Sequence, residues 1–133
     1  MKRLIRDHIV EGDLPQNQLE IRVTDEPGAD GANHRYELAK FSQSDNPSWV
    51  TQAGIAPVII LFQNGPIAEV GCNGITQEAL LAIVIDRLRS FQAGAFPSWN
   101  NATALDHCAQ ALWHLQERTR GRLARGVEGQ TKA

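Results

Sequence analysis

The period of the hydrophobic pattern changes once along the chain, near residue 75, and this change constrains the fold more than any other feature. From Leu19 to about Val70 apolar residues tend to alternate with polar ones, as they do in Leu19–Val23. From Thr76 onward the apolar residues recur at helical spacing. The sequence therefore predicts an α+β fold, in which an N-terminal antiparallel β-meander precedes a C-terminal two-helix hairpin.

Turn-forming residues divide the N-terminal half into strands. Segment 25–33 (DEPGADGAN) is rich in residues that favour turns, and Gln63-Asn64-Gly65 predicts a tight hairpin. Three further strands are predicted after Leu19–Val23: Arg35–Phe41, Pro57–Phe62 and Pro66–Val70. We expect this β part to span about residues 1–74, with a polar loop at 42–52.

The first predicted helix covers about residues 76–93. Thr76 suits the N-cap position, and Gly94 favours termination. Four apolar residues at helical spacing form its main stripe: Leu81, Val84, Leu88 and Phe91. Three more apolar residues fall outside that stripe: Leu80, Ile83 and Ile85. Because one neighbouring helix cannot cover both sets, we expect a second copy of the chain to cover the remainder, which predicts a homo-oligomer.

The second predicted helix covers about residues 98–125 and completes a hairpin over about 75–127. Its first half carries a matching apolar stripe: Leu105, Cys108, Leu112 and Leu115. The helix then continues into a run rich in arginine, and the tail at 128–133 is expected to be loose. The two stripes predict that the helices pack against each other.

Composition excludes several classes of protein. With 13 Lys+Arg against 15 Asp+Glu, the net charge is -2, which argues against a general DNA-binding surface. Cys72 and Cys108 lie far apart and are expected to be free thiols in a reducing cytosol. Met1–Val10 does not resemble a signal peptide, and Ala79–Ile85 is too short to cross a bilayer. We expect a single cytoplasmic domain over 1–133, without membrane association.

Catalytic machinery is not evident in the sequence. The four histidines are expected to be solvated or on helix surfaces: His8, His34, His107 and His114. His107 and Cys108 are neighbours on a helix and point about 100° apart, so they cannot form a nucleophile–base pair. No Walker loop, nucleophile elbow or dinucleotide fingerprint occurs. The sequence predicts a protein that is not an enzyme, with no catalytic residue, metal site or cofactor.

Three arginines near the end of the second helix form the best candidate for a binding surface. Arg118, Arg122 and Arg125 recur at i, i+4 and i+7, so one helical face presents three guanidinium groups. Because each group can donate two parallel hydrogen bonds, this face suits a phosphate. A solvated basic helix end, which complements the negative pole of the helix dipole, is the alternative.

Phe91 and Asn101 flank the loop between the two helices, and each allows two interpretations. Phe91 could stack on a nucleobase or continue the core stripe. Asn101 could cap the second helix or read the adenine edge through its amide. The residues alone leave both questions open.

Two long segments carry a resemblance to a known family. They are NGPIAEVGCNGITQEALLAIVIDRLRSFQAG (64–94) and NNATALDHCAQALWHLQERTRGRLARGVEG (100–129). Together they resemble the phage Thoeris anti-defence one family, and the hairpin alone also resembles the hairpin module of a phage anti-CBASS sponge. The specific feature is the combination of LLAIVIDRLxxFQxG with RTxxRxARGVEG.

The resemblance implies a function. Members of this family sequester cyclic ADP-ribose isomers made by bacterial TIR-domain immune enzymes, and they hold the signal intact. The implied location is the cytoplasm of the infected host, and the implied assembly is a homodimer or a hexamer built as a trimer of dimers. The family pocket lies between subunits, where the matching residues here are a stacking aromatic, an adenine-reading amide and two phosphate-binding arginines: Phe91, Asn101, Arg118 and Arg122.

The sequence departs from the family just before the asparagine. Where the family tends to carry a Cys-Arg-Glu-like stretch, this chain has Ser98-Trp99-Asn100. Trp99 either adds a second stacking surface to the ligand site or packs within the loop. The missing basic residue bears on which isomer the protein prefers.

The resemblance also implies a second ligand. Related members carry separate sites for CBASS cyclic di- and trinucleotides, for which the candidates here are Arg125, Gly126, Gly129 and Thr131. Two other functions remain as alternatives: hydrolysis of the same cyclic nucleotide signals, and general nucleic-acid binding through the arginine face.

Overall fold

The structure is a computed structural model of the 133-residue chain, and it describes residues 3–41 and 57–126. The predicted polar loop at 42–52 and the predicted loose tail at 128–133 lie outside the described residues. The chain forms two compact units, Met1–Leu61 and Phe62–Ala133. The prediction that the whole chain is a single domain stays a prediction.

The N-terminal unit contains a four-stranded antiparallel sheet. Its strands are β1 (Arg3–Ile5), β2 (Glu20–Val23), β3 (Arg35–Ala39) and β4 (Val58–Leu61). Each strand pairs with the next one along the chain, so the predicted antiparallel meander is confirmed. Strand β1 was not predicted because its three residues give too short a pattern for alternation to be recognised.

In the two central strands, β2 and β3, the register separates an apolar face from a polar one. Val23 lies opposite Tyr36, which in turn lies opposite Ile60, so these three side chains share a face. On the other face, Arg22 pairs with Glu20 at 2.5 Å and Arg35 pairs with Glu37 at 3.0 Å. This arrangement matches the one-sided alternation read from the sequence.

Two histidines of the N-terminal unit are not solvated, contrary to the sequence expectation. His34 is buried, and its Nε2 lies 3.0 Å from the carboxylate of Asp30. Its backbone N–H donates to the carboxylate of Asp25 at 2.9 Å. His8 is half-buried, with Nε2 2.7 Å from the carbonyl oxygen of Leu19. Both rings stabilise loops between strands, which hydropathy patterns cannot reveal because histidine suits either environment.

The C-terminal unit begins with a loop and a short helix, α1 (Ile67–Val70). The sequence predicted a strand at Pro66–Val70, and that prediction is wrong. Pro66 immediately precedes the helix with φ -65°, a value that suits a helix start, and its carbonyl accepts hydrogen bonds from Glu69 and Val70. The segment has five residues, too few for alternation to be distinguished from a helical turn.

Two long helices make up most of the C-terminal unit. They are α2 (Gln77–Ala93) and α3 (Trp99–Ala124), close to the predicted bounds. Thr76 caps α2, because its hydroxyl accepts a hydrogen bond from the N–H of Ala79 at 3.1 Å. Gly94 follows the last residue of α2 as predicted, and α2 packs against α3, so the helical hairpin is confirmed.

Helices α2 and α3 pack against each other, and burial identifies the face of α2 in contact. Ile85 is only 3% exposed, and Leu81 and Leu88 on the same face are half-buried. Val84 and Phe91 are exposed, so their prediction as members of the core stripe is wrong. The predicted stripe of α3 is confirmed, since all four of its residues are half-buried: Leu105, Cys108, Leu112 and Leu115.

Candidate functional site

Side chains fix the turn between α2 and α3. Ser98 caps α3, since its hydroxyl accepts a hydrogen bond from the N–H of Asn101 at 3.0 Å. The N–H of Ser98 donates in turn to the side-chain oxygen of Gln92, on the last turn of α2, at 2.9 Å. These two bonds hold the end of one helix to the start of the next, so nearby side chains project from a defined turn.

Phe91 lies on the last turn of α2 and is 43% exposed. Core packing, which the stripe of apolar residues favoured, is therefore not its role within one chain. The guanidinium carbon of Arg87 lies 5.4 Å from the centre of the Phe91 ring. Our sequence reasoning missed Arg87, although its i, i+4 spacing to Phe91 on one helix is a signal that could have identified it.

Asn101 is the third residue of α3 and is half-buried. Because Ser98 occupies the cap position, the capping role considered for Asn101 is excluded. Among the described residues, its side-chain amide has no hydrogen-bond partner. Asn101 therefore keeps one acceptor and two donors for another molecule.

The turn also carries two aromatic residues that are open to solvent. Trp99 is 78% exposed and Phe96 is 81% exposed. Of the two interpretations of Trp99, packing within the loop is therefore excluded. Large aromatic side chains that are exposed close together often mark a binding surface. These two rings therefore indicate a contact surface beside Asn101 and Phe91.

The predicted arginine face lies at the other end of α3. Arg118 is exposed, Arg122 is half-buried, and Arg125 forms the C-cap of the helix. Within residues 3–41 and 57–126, none of these three side chains forms a salt bridge. Arg120, on a different side of the helix, does pair with Glu117. The unpaired guanidinium groups repel one another, so binding of an anion between them is favourable.

The structure does not bring the two halves of the predicted site together in one chain. Asn101 and Arg118 lie 17 positions apart on one continuous helix, which corresponds to ~26 Å along the axis. Helix α3 has 26 residues and α2 has 17, so α3 exceeds α2 by ~13 Å. Because the helices join at the start of α3, the arginine end is the part that extends beyond α2.

The structure describes only two of the four candidate residues for the cyclic-oligonucleotide site. Arg125 and Gly126 follow directly at the end of α3, where Gly126 has a φ of +70° that glycine adopts without strain. Gly129 and Thr131 lie outside the described residues. The second site stays a prediction.

Other features of the described residues give no positive evidence for a nucleotide site elsewhere. A cavity of about 60 Å³ lies beside β1 in the N-terminal unit, far smaller than the roughly 300 Å³ at the lower end of ligand pockets. Across residues 3–41 and 57–126, no group of three or more His, Cys, Asp or Glu could hold a metal ion. None of the described helices combines the length and hydropathy needed to cross a membrane.

The helical hairpin of the C-terminal unit corresponds to a known domain family. The protein-family model described as "Acb2/Tad1, hairpin domain" matches residues 55–120. These residues include all of α2 and most of α3. This segment of the chain is therefore similar to the Acb2/Tad1 hairpin domain.

A curated relative gives a more particular match. The chain is 47% identical over 68 residues to Thoeris anti-defense 1 of Bacillus phage SBSphiJ7. The alignment covers 51% of this chain and 48% of the relative, so the chain spans about half the length of the curated relative it matches. The resemblance to the Thoeris anti-defence one family is thereby confirmed.

Proposed function

We propose that this chain is a phage anti-defence protein that binds cyclic ADP-ribose isomers made by TIR-domain immune enzymes and sequesters them without cleavage. The observation that carries the proposal is that its four matching residues keep an exposed ring or polar groups available to another molecule. Phe91 is exposed, and the Asn101 amide and the guanidinium groups of Arg118 and Arg122 have no partners among the described residues. The name of the curated relative supports the same function.

Each group matches one part of the ligand. An aromatic ring stacks on the adenine base, and an asparagine amide matches the donor and acceptor on one adenine edge. Two guanidinium groups one helical turn apart suit a pyrophosphate, which carries two adjacent negative phosphates. Nanomolar capture requires about -12 kcal/mol, and a rigid cyclic ligand loses little conformational entropy on binding.

The site is completed by a second copy of the chain. Because ~26 Å of helix separates Asn101 from Arg118, one small ligand cannot reach both ends of the same α3. Two copies related by a two-fold axis, with their α3 helices antiparallel, would place the arginine end of each copy beside the turn of the other. A homodimer, or a hexamer formed from three such dimers, satisfies this requirement.

Exposed apolar residues on the helices support the assembly. On α2, Ile83 is 58% exposed and Val84 is 42% exposed, and on α3 Trp113 is 54% exposed. Association would remove these side chains from water, at about 25 cal/mol per Å² of apolar surface.

We expect Ile83→Glu to dissociate the assembly, because it places a charge on an apolar contact face. Light scattering at micromolar concentration should show a smaller particle, while circular dichroism should show an unchanged helix content. Gln77→Glu adds the same charge at an exposed position of α2 and serves as the control. A wild-type protein that is already monomeric at this concentration would contradict both the assembly and the shared site.

Binding of the ligand tests the proposed function directly. We expect calorimetry with cyclic ADP-ribose isomers to show tight binding by the wild type, and release of intact ligand on heating. Arg122→Ala should weaken binding by about 1.5–3 kcal/mol, because one charge-assisted contact is lost. Arg120→Ala, which removes an arginine paired with Glu117, is the matched control. Hydrolysed ligand would favour an enzyme, and equal binding by all variants would place the site elsewhere.

Two further properties belong to the proposal. We expect the protein to act in the cytoplasm of the infected bacterium, where its ligand is made. Cyclic di- and trinucleotides are proposed as second ligands at Arg125, Gly126, Gly129 and Thr131. Because this site is separate, calorimetry of a cyclic trinucleotide should give the same affinity with and without a saturating cyclic ADP-ribose isomer.

A further inference from the structure

The contact between Arg87 and Phe91 is the only cation–aromatic stack among the described residues of the chain. The guanidinium carbon of Arg87 lies 5.4 Å from the centre of the Phe91 ring, within the range of a cation–π interaction. The two residues are four positions apart on α2, so their side chains lie on the same side of the helix. The helix backbone therefore sets the spacing of this pair.

The sequence around Arg87 leaves the ring as its local partner. On a helix surface a charged side chain pairs with residues three and four positions away. For Arg87 these are Ile83, Val84, Ser90 and Phe91, none of which is acidic. Within residues 3–41 and 57–126, Arg87 forms no salt bridge. The guanidinium is therefore not diverted from the aromatic ring by a competing carboxylate.

The contact with Arg87 restricts the rotamers of Phe91 but leaves part of its ring exposed. An unpaired aromatic side chain on the last turn of a helix would sample several rotamers. Phe91 has a guanidinium against its ring and still remains 43% exposed. A ring has two faces, and an arginine on one face leaves the other available to a planar base.

We propose that Arg87 is a positioning residue of the ligand site, which holds the Phe91 ring so that its open face stacks on the purine base. The ligand then forms the third layer of a stack of guanidinium, phenyl ring and base. This inference rests on the proposed function, because it requires that Phe91 contacts the base. Arg87 itself contacts the ring and not the ligand.

The test compares two arginines of α2 that carry the same charge. Arg87→Ala should weaken binding of a cyclic ADP-ribose isomer about two- to fivefold, since a cation–π contact between two exposed side chains is lost. Arg89 is exposed and forms no salt bridge within the described residues, so Arg89→Ala controls for charge alone. We expect Arg89→Ala to change affinity less than twofold. Arg87→Lys, which keeps a cation over the ring, should restore part of the affinity.

A double-mutant cycle distinguishes positioning from direct contact with the ligand. In a Phe91→Leu background the effect of Arg87→Ala should disappear, because there is no ring left to hold. At ligand saturation, the ring-proton resonances of Phe91 should shift upfield in the wild type and less in Arg87→Ala. An undiminished loss in the Leu background, or equal shifts in both proteins, would overturn the inference.

The controls separate failure of this inference from failure of the proposed function. A wild type that binds the isomer while Arg87→Ala and Arg89→Ala bind equally well overturns the role of Arg87 alone. A wild type that binds no cyclic ADP-ribose isomer overturns the proposed function and this inference together.

Discussion

Mixing two variants that each fail to bind should restore binding at about one quarter of the sites. The first variant, Phe91→Ala with Asn101→Ala, lacks the base-binding end. The second, Arg118→Ala with Arg122→Ala, lacks the phosphate-binding end. Each site takes its base-binding end from one chain and its phosphate-binding end from another. When the chains assort at random, both ends are unmodified in one site out of four. Calorimetry of the co-refolded mixture should give this stoichiometry with the affinity of the wild type.

The expected rescue follows from the length of α3. If one chain supplied both ends of a site, every site in the mixture would retain a defect and no binding would return. The separation of ~26 Å between Asn101 and Arg118 excludes that arrangement for a single small ligand. Each variant refolded alone is the control. Absence of high-affinity sites in a mixture shown by light scattering to be fully assembled would contradict a site shared between chains.

Ile85→Ala should lower the free energy of unfolding by about 2–5 kcal/mol, because it leaves a cavity between α2 and α3. Ile85 is 3% exposed and is the most deeply buried residue of α2. Ile83 is the same type of residue two positions away, and it is 58% exposed. The pair therefore separates packing within the chain from contacts between chains.

Thermal unfolding over a range of protein concentrations measures both effects. Ile85→Ala should lower the melting temperature by a similar amount at every concentration. Ile83→Ala should have little effect in dilute protein, where surface changes cost within about 0.5 kcal/mol. Its effect should grow under conditions where the wild type is assembled. Equal and concentration-independent losses for both variants would contradict the assignment of the two faces.

The sequence predicted the ends of the helices well because specific residues determine them. Thr76 and Gly94 bound α2, and each has a local chemical role that does not depend on distant contacts. Strand β1 and helix α1 were missed or assigned to the wrong class because each has only three or four residues. A segment of that length lacks a measurable period, and its partners determine its structure.

The apolar stripe of α2 shows what periodicity cannot determine. Val84 and Ile85 are neighbours, so they point about 100° apart, and either could belong to the contact face. Both choices give a continuous stripe with Leu81 and Leu88. Only the position of α3 decides that Ile85 is buried and Val84 is exposed. The same decision leaves Phe91 exposed, so an error about the core was also an error about the candidate site.

The N-cap residue of α3 could likewise not be decided from the sequence, because two suitable residues lie close together. Ser98 and Asn101 are both good N-cap residues, and they are three positions apart. The structure assigns the cap to Ser98, which leaves the amide of Asn101 without a partner among the described residues. The positions of the arginines, in contrast, followed directly from helical spacing. Their distance from Asn101 also followed from the sequence once both were placed on one helix.

Under the proposed function, the length by which α3 extends beyond α2 affects when during infection the signal can be captured. A site that needs two chains cannot form while the first copies are too dilute to meet. Below the dissociation constant of the assembly, capture capacity rises with the square of the amount of protein made. The signal molecule offsets this delay, because it stabilises the assembled form by mass action and recruits free chains. A rising concentration of the signal molecule would thus increase the fraction of chains that are assembled and able to bind it.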